Sequence, residues 1–207
     1  LVDNIKKTHK TALIMAGGFG KRLGEKTKYT PKPLLKIGSV PMLETLLNKL
    51  EDSYYKDIYI SVFYLHKQIV DYIKRRKSKS NIKILIEKEP LGTAGCISII
   101  SNENFNNLTV INADVVSDIN LEALTSFHKE KNNDITISVA KYINEIPFGV
   151  VSLDKNFDYK SLKEKPKLEH FILSGIYCLK KSICKSVKKE YLDMPSLIAN
   201  SHKLGNK

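Results

Sequence analysis

Short apolar segments alternate with segments of helical spacing along most of this 207-residue chain. The first apolar run, Thr11–Ala16, ends at Gly17–Gly18, which is typical of a buried strand that enters a loop. In Pro41–Leu50 the apolar residues recur three and four positions apart, as they do in a helix that buries one face. Strands that alternate with helices in this way predict a mostly parallel sheet covered by helices on both faces. We therefore expect an α/β fold.

The alternation continues to about residue 145 and then changes. Strands are predicted at Asp57–Val62, Ile82–Ile86, Leu108–Ala113 and Asp134–Ala140, and helices at His66–Arg76, Thr93–Ser101 and Leu121–Glu130. Beyond that point, strands are predicted at Gly149–Leu153 and His170–Leu179, and helices at Lys180–Lys188 and Met194–His202. We interpret this last part as the substrate-binding half of one domain, residues 11–207, which follows a linker at residues 1–10.

The composition argues against membrane and nucleic-acid partners. The apolar runs are too short to span a bilayer, and the polar N-terminus lacks the apolar core of a signal peptide. The net charge of +12 suits phosphate-bearing partners, but no aromatic residues are interleaved with the lysines as in nucleic-acid modules. We expect the densest basic cluster, Lys74–Lys77, to be a solvated surface. Cys96, Cys178 and Cys184 form neither a CxxC pair nor a metal-ligand spacing, which predicts reduced thiols in a cytoplasmic protein.

The glycine-rich segment AGGFGKRL follows the first strand directly. Its glycines allow tight turns in which backbone N–H groups approach a phosphate, at the strand ends where open α/β sheets bind ligands. Leu23 stands where a dinucleotide-binding GxGxxG would have its third glycine, and Arg22 stands where a Walker loop would have Ser or Thr. The predicted phosphate cradle comprises Ala16, Gly17, Gly18 and Gly20, with Lys21 and Arg22 as its cations.

A second cation, Lys32, lies between Pro31 and Pro33 in the segment TPKPLL. Two flanking prolines stiffen the backbone, so that the ammonium group is held at a low entropic cost. Lys32 follows Arg22 by ten residues. We therefore interpret it as a functional residue rather than as an ordinary loop lysine.

Together, GGFGKRL and PKPLL resemble the sugar nucleotidylyltransferase family, which includes the guanylyl-, thymidylyl- and uridylyltransferases of sugar 1-phosphates. Further segments match the family in order, namely Pro90–Gly95, Asn112–Asp114, Pro147–Val151, Glu164–Pro166 and Gly175–Tyr177. The resemblance implies a three-layer, Rossmann-like nucleotidyltransferase fold with a mixed, mostly parallel sheet and a smaller sugar-binding portion.

The resemblance also implies a reaction and a set of roles. An oxygen of the sugar phosphate attacks the α-phosphorus of the nucleotide in line, and pyrophosphate leaves. Arg22 and Lys32 would neutralise charge on the triphosphate, and Asp114 would hold Mg²⁺. The remaining contacts implied are Gly92 and Thr93 to the nucleotide, and Gly149, Glu164 and Lys165 to the sugar phosphate. A homo-oligomer is compatible with this pattern.

The base is predicted from Glu87, five residues before Gly92. Similar enzymes that are specific for thymine or uracil tend to place Gln there. A carboxylate can accept hydrogen bonds from N1–H and the exocyclic N2–H₂ of guanine, but has no donor for O4 of a pyrimidine. We therefore favour GTP, with a surface carboxylate in Glu87–Glu89 as the alternative.

The sugar is predicted only from resemblance. Tyr191–Pro195, YLDMP, and the basic N-terminus resemble guanylyltransferases that carry regulatory CBS modules, among them the glucosamine-1-phosphate enzyme of legionaminic acid biosynthesis. Mannose 1-phosphate and heptose 1-phosphate remain competing substrates. Many relatives have Asn-Ala before the glycine that corresponds to Gly175, whereas this chain has Leu173–Ser174. The replacement removes an amide that commonly contacts the sugar.

One family feature is missing. Relatives usually supply a second metal-binding aspartate from a Trp-x-Asp-x-Gly segment, but this sequence has no tryptophan and stops at Lys207. Together with the non-methionine Leu1, this predicts truncation at both ends and weak catalysis. A catalytically silent nucleotide-sugar binder is the alternative. The intact set of charged residues argues against it, namely Arg22, Lys32, Asp114 and Lys165.

Overall fold

The computed structural model of the chain describes residues 9–207, apart from the side chains of residues 21–23. The predicted linker at residues 1–10 therefore falls almost entirely outside the described residues. The strands are β1 (Lys10–Ala16), β2 (Lys36–Ile37), β3 (Val40–Pro41), β4 (Tyr55–Val62), β5 (Asn81–Ile86), β6 (Asn107–Asn112), β7 (Ile135–Glu145), β8 (Val150–Leu153), β9 (Tyr159–Lys163) and β10 (Lys167–Lys180). The α-helices are α1 (Met42–Asp52), α2 (His66–Arg75), α3 (Gly92–Gly95), α4 (Leu121–Glu130), α5 (Lys181–Ser186) and α6 (Met194–Lys203).

Six of these strands form the main sheet in the order β5-β4-β1-β6-β10-β7. Strand β1 pairs in parallel with both β4 and β6, and β4 pairs in parallel with β5. Strand β10 is antiparallel to β6. The mostly parallel sheet predicted from the alternation of elements is confirmed, and so is its mixed character, which the resemblance implied.

Helices cover both faces of this sheet because the side chains of its strands alternate between two cores. Leu13 of β1 packs into a cluster with residues of α3, α5 and α6. Its neighbours Ala12 and Ile14 pack into a second cluster with residues of α1, α2 and α4. The central strands are thus buried on both sides, which explains why their sequences read as continuous apolar runs.

The chain divides into two compact units. The first contains the described residues up to Ile137 together with Gly175–Lys207, and the second is Ser138–Ser174. Within the second unit, β8 and β9 form an antiparallel pair. The sugar-phosphate residues predicted by resemblance all fall in this second unit.

Several elements differ from the sequence-based prediction. The predicted helix at Thr93–Ser101 begins as α3 and continues as a 3-10 helix over Cys96–Ile100. Strand β9 was missed, because Tyr159–Lys163 is exposed throughout and contains no apolar run. Its extended form depends on pairing with β8, where Ser152 lies opposite Ser161.

The structure bears on two of the compositional expectations. No helix in the described part of the chain is long and apolar enough to cross a membrane. Cys96, Cys178 and Cys184 are all buried as free thiols.

The expectation that Lys74–Lys77 is solvated is wrong for one member. The side chain of Arg76 is only 7% exposed. Its Nη1 donates to Glu51 Oε1 at 2.7 Å, and its Nε donates to Glu44 Oε2 at 3.0 Å. Because both glutamates lie on α1, Arg76 ties the end of α2 to α1 through a buried ion-pair network.

We expect Arg76→Met to lower the free energy of unfolding by about 3 kcal/mol, because it removes the cation that pairs with the buried side chain of Glu51 and the partly buried one of Glu44. Hydrogen bonds to Glu51, from Arg76 above all and also from Ser78 and the Lys79 backbone, lower its pKa from the ordinary 4.5 to about 2. Because folding lowers this pKa, the ionised Glu51 adds its full contribution to the free energy of unfolding above about pH 4.5. That contribution is lost as the pH falls through about 2. Urea denaturation should therefore show a difference between wild type and variant that narrows over this range. The exposed neighbour provides the control, since Arg75→Met should change little.

Candidate active site

A cavity of about 560 Å³ opens where strands β1 and β6 end. These strands are parallel neighbours, so that their carboxyl ends meet at one edge of the sheet. The lining consists of Met15, Ala16, Gly17, Gly18, Phe19, Gly20, Lys32, Pro33, Glu87, Pro90, Gly92, Thr93, Asn112, Ala113, Asp114, Tyr191 and Asp193. The cavity thus brings the glycine-rich segment together with residues that lie far apart in the sequence.

Glu87 lies under the glycine-rich segment and is buried, with 7% of its surface exposed. Its Oε1 accepts a hydrogen bond from Ser61 Oγ at 2.6 Å, and its Oε2 accepts one from the Leu91 backbone N–H at 2.9 Å. A Cβ atom on Gly17 would come within 2.8 Å of Oε1, so only a glycine lets the backbone cross here undisturbed. The alternative of a surface carboxylate at this position is wrong.

Lys32 and Asp114 form an ion pair on the cavity wall. Lys32 begins a short 3-10 helix, Lys32–Leu34, and Asp114 follows the end of β6. Their side chains are 33% and 37% exposed, so a ligand in the cavity can reach both charges. A cation and a carboxylate in contact can separate to serve a phosphate and a metal ion, respectively.

Asp114 supplies the kind of oxygen ligand that Mg²⁺ requires. Among residues 9–207 with described side chains, no cluster of three or more His, Cys, Asp or Glu residues could hold a metal. Mg²⁺ is usually bound by one or two carboxylates together with substrate phosphates and water. The residues present therefore fit a magnesium ion that arrives with a triphosphate, rather than a preformed metal cage.

The segment Glu190–Asp193, called here the 190–193 segment, packs on α3. The backbone N–H groups of Ala94 and Gly95 donate to Leu192 O at 2.8 and 3.1 Å, and Leu192 N donates to Leu91 O at 3.0 Å. This approach requires glycine, because a Cβ on Gly95 would lie 2.1 Å from the backbone oxygen of Glu190. The segment thereby forms a wall of the cavity, which Tyr191 and Asp193 line.

Comparison with known proteins places this arrangement in a family. The sequence family described as nucleotidyl transferase matches residues 11–202. The chain belongs to the nucleotidyl transferase family.

Relatives within the family are longer proteins. The chain is 33% identical over 187 residues to mannose-1-phosphate guanylyltransferase catalytic subunit beta of Drosophila melanogaster, covering 86% of this chain and 50% of that protein. It is 34% identical over 187 residues to mannose-1-phosphate guanyltransferase of Emericella nidulans, covering 86% of this chain and 51% of that protein. The chain therefore spans about half the length of the curated relatives it matches.

Solved structures of similar architecture are also found. The crystal structure of HddC from Yersinia pseudotuberculosis complexed with GMP-PN is 28% identical, with a TM-score of 0.68, and covers 89% of this chain and 82% of that chain. A Bacillus anthracis structure with 20% identity and a TM-score of 0.72 covers 95% of this chain and 84% of that chain, and shows likeness of fold alone.

In this nucleotidyl transferase chain, one cavity is lined by most of the residues predicted to bind the nucleotide or to act in catalysis. The nucleotide-binding residues there are Ala16, Gly17, Gly18, Gly20, Glu87, Gly92 and Thr93, and the catalytic ones are Lys32 and Asp114. The backbone of Lys21 and Arg22 begins a 3-10 helix, but their side chains lie outside the described residues. The Thr93 hydroxyl accepts a hydrogen bond from Met194 N at 2.8 Å, and so caps the start of α6.

The predicted sugar-phosphate residues of the nucleotidyl transferase lie together in the second unit. A Cβ on Gly149 would be 3.0 Å from Glu164 Oε2, and Lys165 N donates to Phe148 O at 3.3 Å. Their assignment to the sugar phosphate stays a prediction.

Some residues that line the nucleotidyl transferase cavity were not predicted from the sequence. Tyr191 and Asp193 belong to a segment that was noted only for its resemblance to relatives. Phe19, inside the glycine-rich segment, packs edge-on against Phe63, with ring centroids 5.7 Å apart. An aromatic residue within a glycine-rich segment was a signal that this position packs against another element.

Proposed function

We propose that this chain carries the reaction centre of a sugar-1-phosphate guanylyltransferase, which transfers GMP from GTP to a sugar 1-phosphate and releases pyrophosphate. The observation that carries the proposal is the Lys32–Asp114 ion pair, which faces the same cavity as a buried Glu87 and a glycine-rich segment. These groups supply a cation for the triphosphate, a carboxylate for a metal and acceptors for a base.

The proposed chemistry balances without a covalent enzyme intermediate. A non-bridging phosphate oxygen of the sugar 1-phosphate forms a bond to the α-phosphorus of GTP, and the bond from that phosphorus to the α–β bridging oxygen breaks. Pyrophosphate leaves with the electron pair of that bond. Lys32 stabilises negative charge on the leaving group, and Arg22 adds a further positive charge.

Magnesium is the proposed cofactor, held by Asp114 together with phosphate oxygens, where it would neutralise charge on the triphosphate. Lys32 contacts Asp114 in the structure, so the two groups that would serve the phosphates and the metal already lie together on the cavity wall.

Guanine is the proposed base because Glu87 presents acceptors from the floor of the cavity. Its oxygens are held by Ser61 and by the Leu91 N–H, and each oxygen retains a further lone pair. The names of the guanylyltransferase relatives support the same choice.

For the sugar, mannose 1-phosphate moves ahead of glucosamine 1-phosphate, because the relatives matched over 86% of the chain are named for mannose 1-phosphate. Heptose 1-phosphate remains an alternative. Whichever sugar is the substrate, we assign its phosphate to Lys165 and its hydroxyl groups to Glu164, and we expect Gly149 to allow the sugar to approach the backbone closely.

The test is pyrophosphate release with Mg²⁺, using GTP, UTP, dTTP and CTP, each with mannose, glucosamine, heptose and glucose 1-phosphates. Release with GTP and one sugar would establish base and substrate together. GTP binding without release, for this chain and for the same chain extended beyond Lys207, would favour the silent-binder alternative.

We expect Glu87→Gln to reduce the preference for GTP over UTP by about tenfold or more, since an amide offers a donor where guanine needs an acceptor. The ratio of kcat/KM for the two nucleotides measures it. Glu89→Gln, three residues from the cavity residue Gly92, is the control. An unchanged ratio in Glu87→Gln would remove this residue from base selection.

A further inference from the structure

A buried hydroxyl group lies directly beneath the carboxylate assigned to the base. Ser61 occupies the penultimate position of β4 and is 0% exposed. Its Oγ donates to Glu87 Oε1 at 2.6 Å, a short charge-assisted hydrogen bond. The backbone is anchored at the same place, since Glu87 N donates to Val62 O at 2.9 Å.

We propose that Ser61 is a positioning residue that sets the preference for guanine by fixing the plane of the Glu87 carboxylate. The inference rests on the proposed function, since it takes Glu87 as the group that meets the base.

The carboxylate of Glu87 is held at both of its oxygens. Ser61 binds one oxygen and the Leu91 N–H binds the other, so that rotation about the last side-chain bond of Glu87 breaks one contact or both. Gly17 closes the third side, where an added Cβ would be 2.8 Å from Oε1. Without Ser61, the carboxylate would be held at one oxygen alone.

Guanine makes an unusual demand on such a group. Its N1–H and N2–H₂ donors lie side by side, and one carboxylate meets both only when its two oxygens are coplanar with them. A base that lacks the N2 amine needs only one oxygen, and therefore depends less on the plane. Hypoxanthine, the base of ITP, differs from guanine in this amine and is the matching probe.

The surroundings of Ser61 support its role as donor. Cys96 is buried nearby, and burial first, then the charge of Glu87, raises the pKa of its thiol to about 12, whereas hydrogen bonding with Ser61 lowers it. The thiol is therefore protonated at neutral pH. A thiol that keeps its proton is a weak acceptor, so it competes little with Glu87 for the proton of Ser61.

The experiment measures dissociation constants for GTP and ITP in the full chain, so that it does not depend on turnover. Ser61→Ala should lower the ratio of GTP affinity to ITP affinity about tenfold. Ser61→Thr, which keeps the hydroxyl, should retain most of the ratio, and Ser61→Cys, a weaker donor of similar size, should fall between. Thr109→Val removes a different buried hydroxyl, bonded to Tyr55 at 2.8 Å in the same sheet, and should leave the ratio unchanged.

Each outcome decides the matter. An unchanged ratio in Ser61→Ala would overturn the proposal, whether both affinities fall equally, which would indicate a purely structural role, or neither falls. If Ser61→Ala does not fold, Ser61→Cys takes its place. A ratio of GTP to ITP affinity in Ser61→Cys equal to that of wild type would then overturn the proposal. Failure of the proposed function would give a different result. The wild type would then still bind GTP in preference to ITP but would release no pyrophosphate. A wild type that does not distinguish GTP from ITP would overturn the role of Glu87, and that of Ser61 with it.

Discussion

Asp114→Asn is expected to lower the rate of pyrophosphate release at least about 100-fold while leaving the fold intact. The substitution removes the negative charge that pairs with Lys32 and that would hold Mg²⁺ beside the triphosphate. The side chain is 37% exposed at the end of β6, so the core does not depend on it. Steady-state turnover with GTP, together with circular dichroism and a thermal melt, measures both parts of the prediction.

Asp118→Asn is the matched control, because Asp118 is an exposed carboxylate in the same loop and does not line the cavity. Lys32→Met should cause a loss similar to that of Asp114→Asn. Since the two groups are in contact, the double variant should lose less than the product of the single losses. A wild-type rate of pyrophosphate release in Asp114→Asn would contradict the metal-binding role of this residue.

Gly95→Ala is expected to destabilise the chain by about 3 kcal/mol and to weaken GTP binding. The added methyl group would lie 2.1 Å from the backbone oxygen of Glu190, and a backbone atom cannot turn aside as the end of a side chain can. The 190–193 segment must therefore move away from α3, which breaks the bonds that Leu192 O accepts from Ala94 and Gly95. Chemical denaturation and a GTP titration on the same samples measure the two effects.

The control is Glu190→Ala, because the close approach involves the backbone of Glu190 and its side chain is exposed. That variant should keep the stability of wild type. A Gly95→Ala protein as stable as wild type would show that the 190–193 segment can shift at little cost, and would remove it as a required wall of the cavity.

Much of the fold could be predicted because its signals are local. Strand β1 ends at Ala16 and helix α4 spans Leu121–Glu130, both as predicted, since a buried apolar run and a capped amphipathic helix each depend on neighbouring residues. Asn120 accepts hydrogen bonds from the first turn of α4 and so marks its start. Strand β9 could not be found in this way, because its residues become extended only by pairing with β8.

The sequence by itself determined the order of strands and helices, the glycine-rich segment and the identity of the charged residues Lys32 and Asp114. It could not show that these two charges meet, because they are separated by 82 positions and come together only when β1 and β6 pair. Nor could it place Arg76 among buried carboxylates or Glu87 over Ser61, since burial depends on which distant element covers a side chain. The tertiary structure decided these points because they depend on packing between elements, which leaves no periodic trace in the sequence.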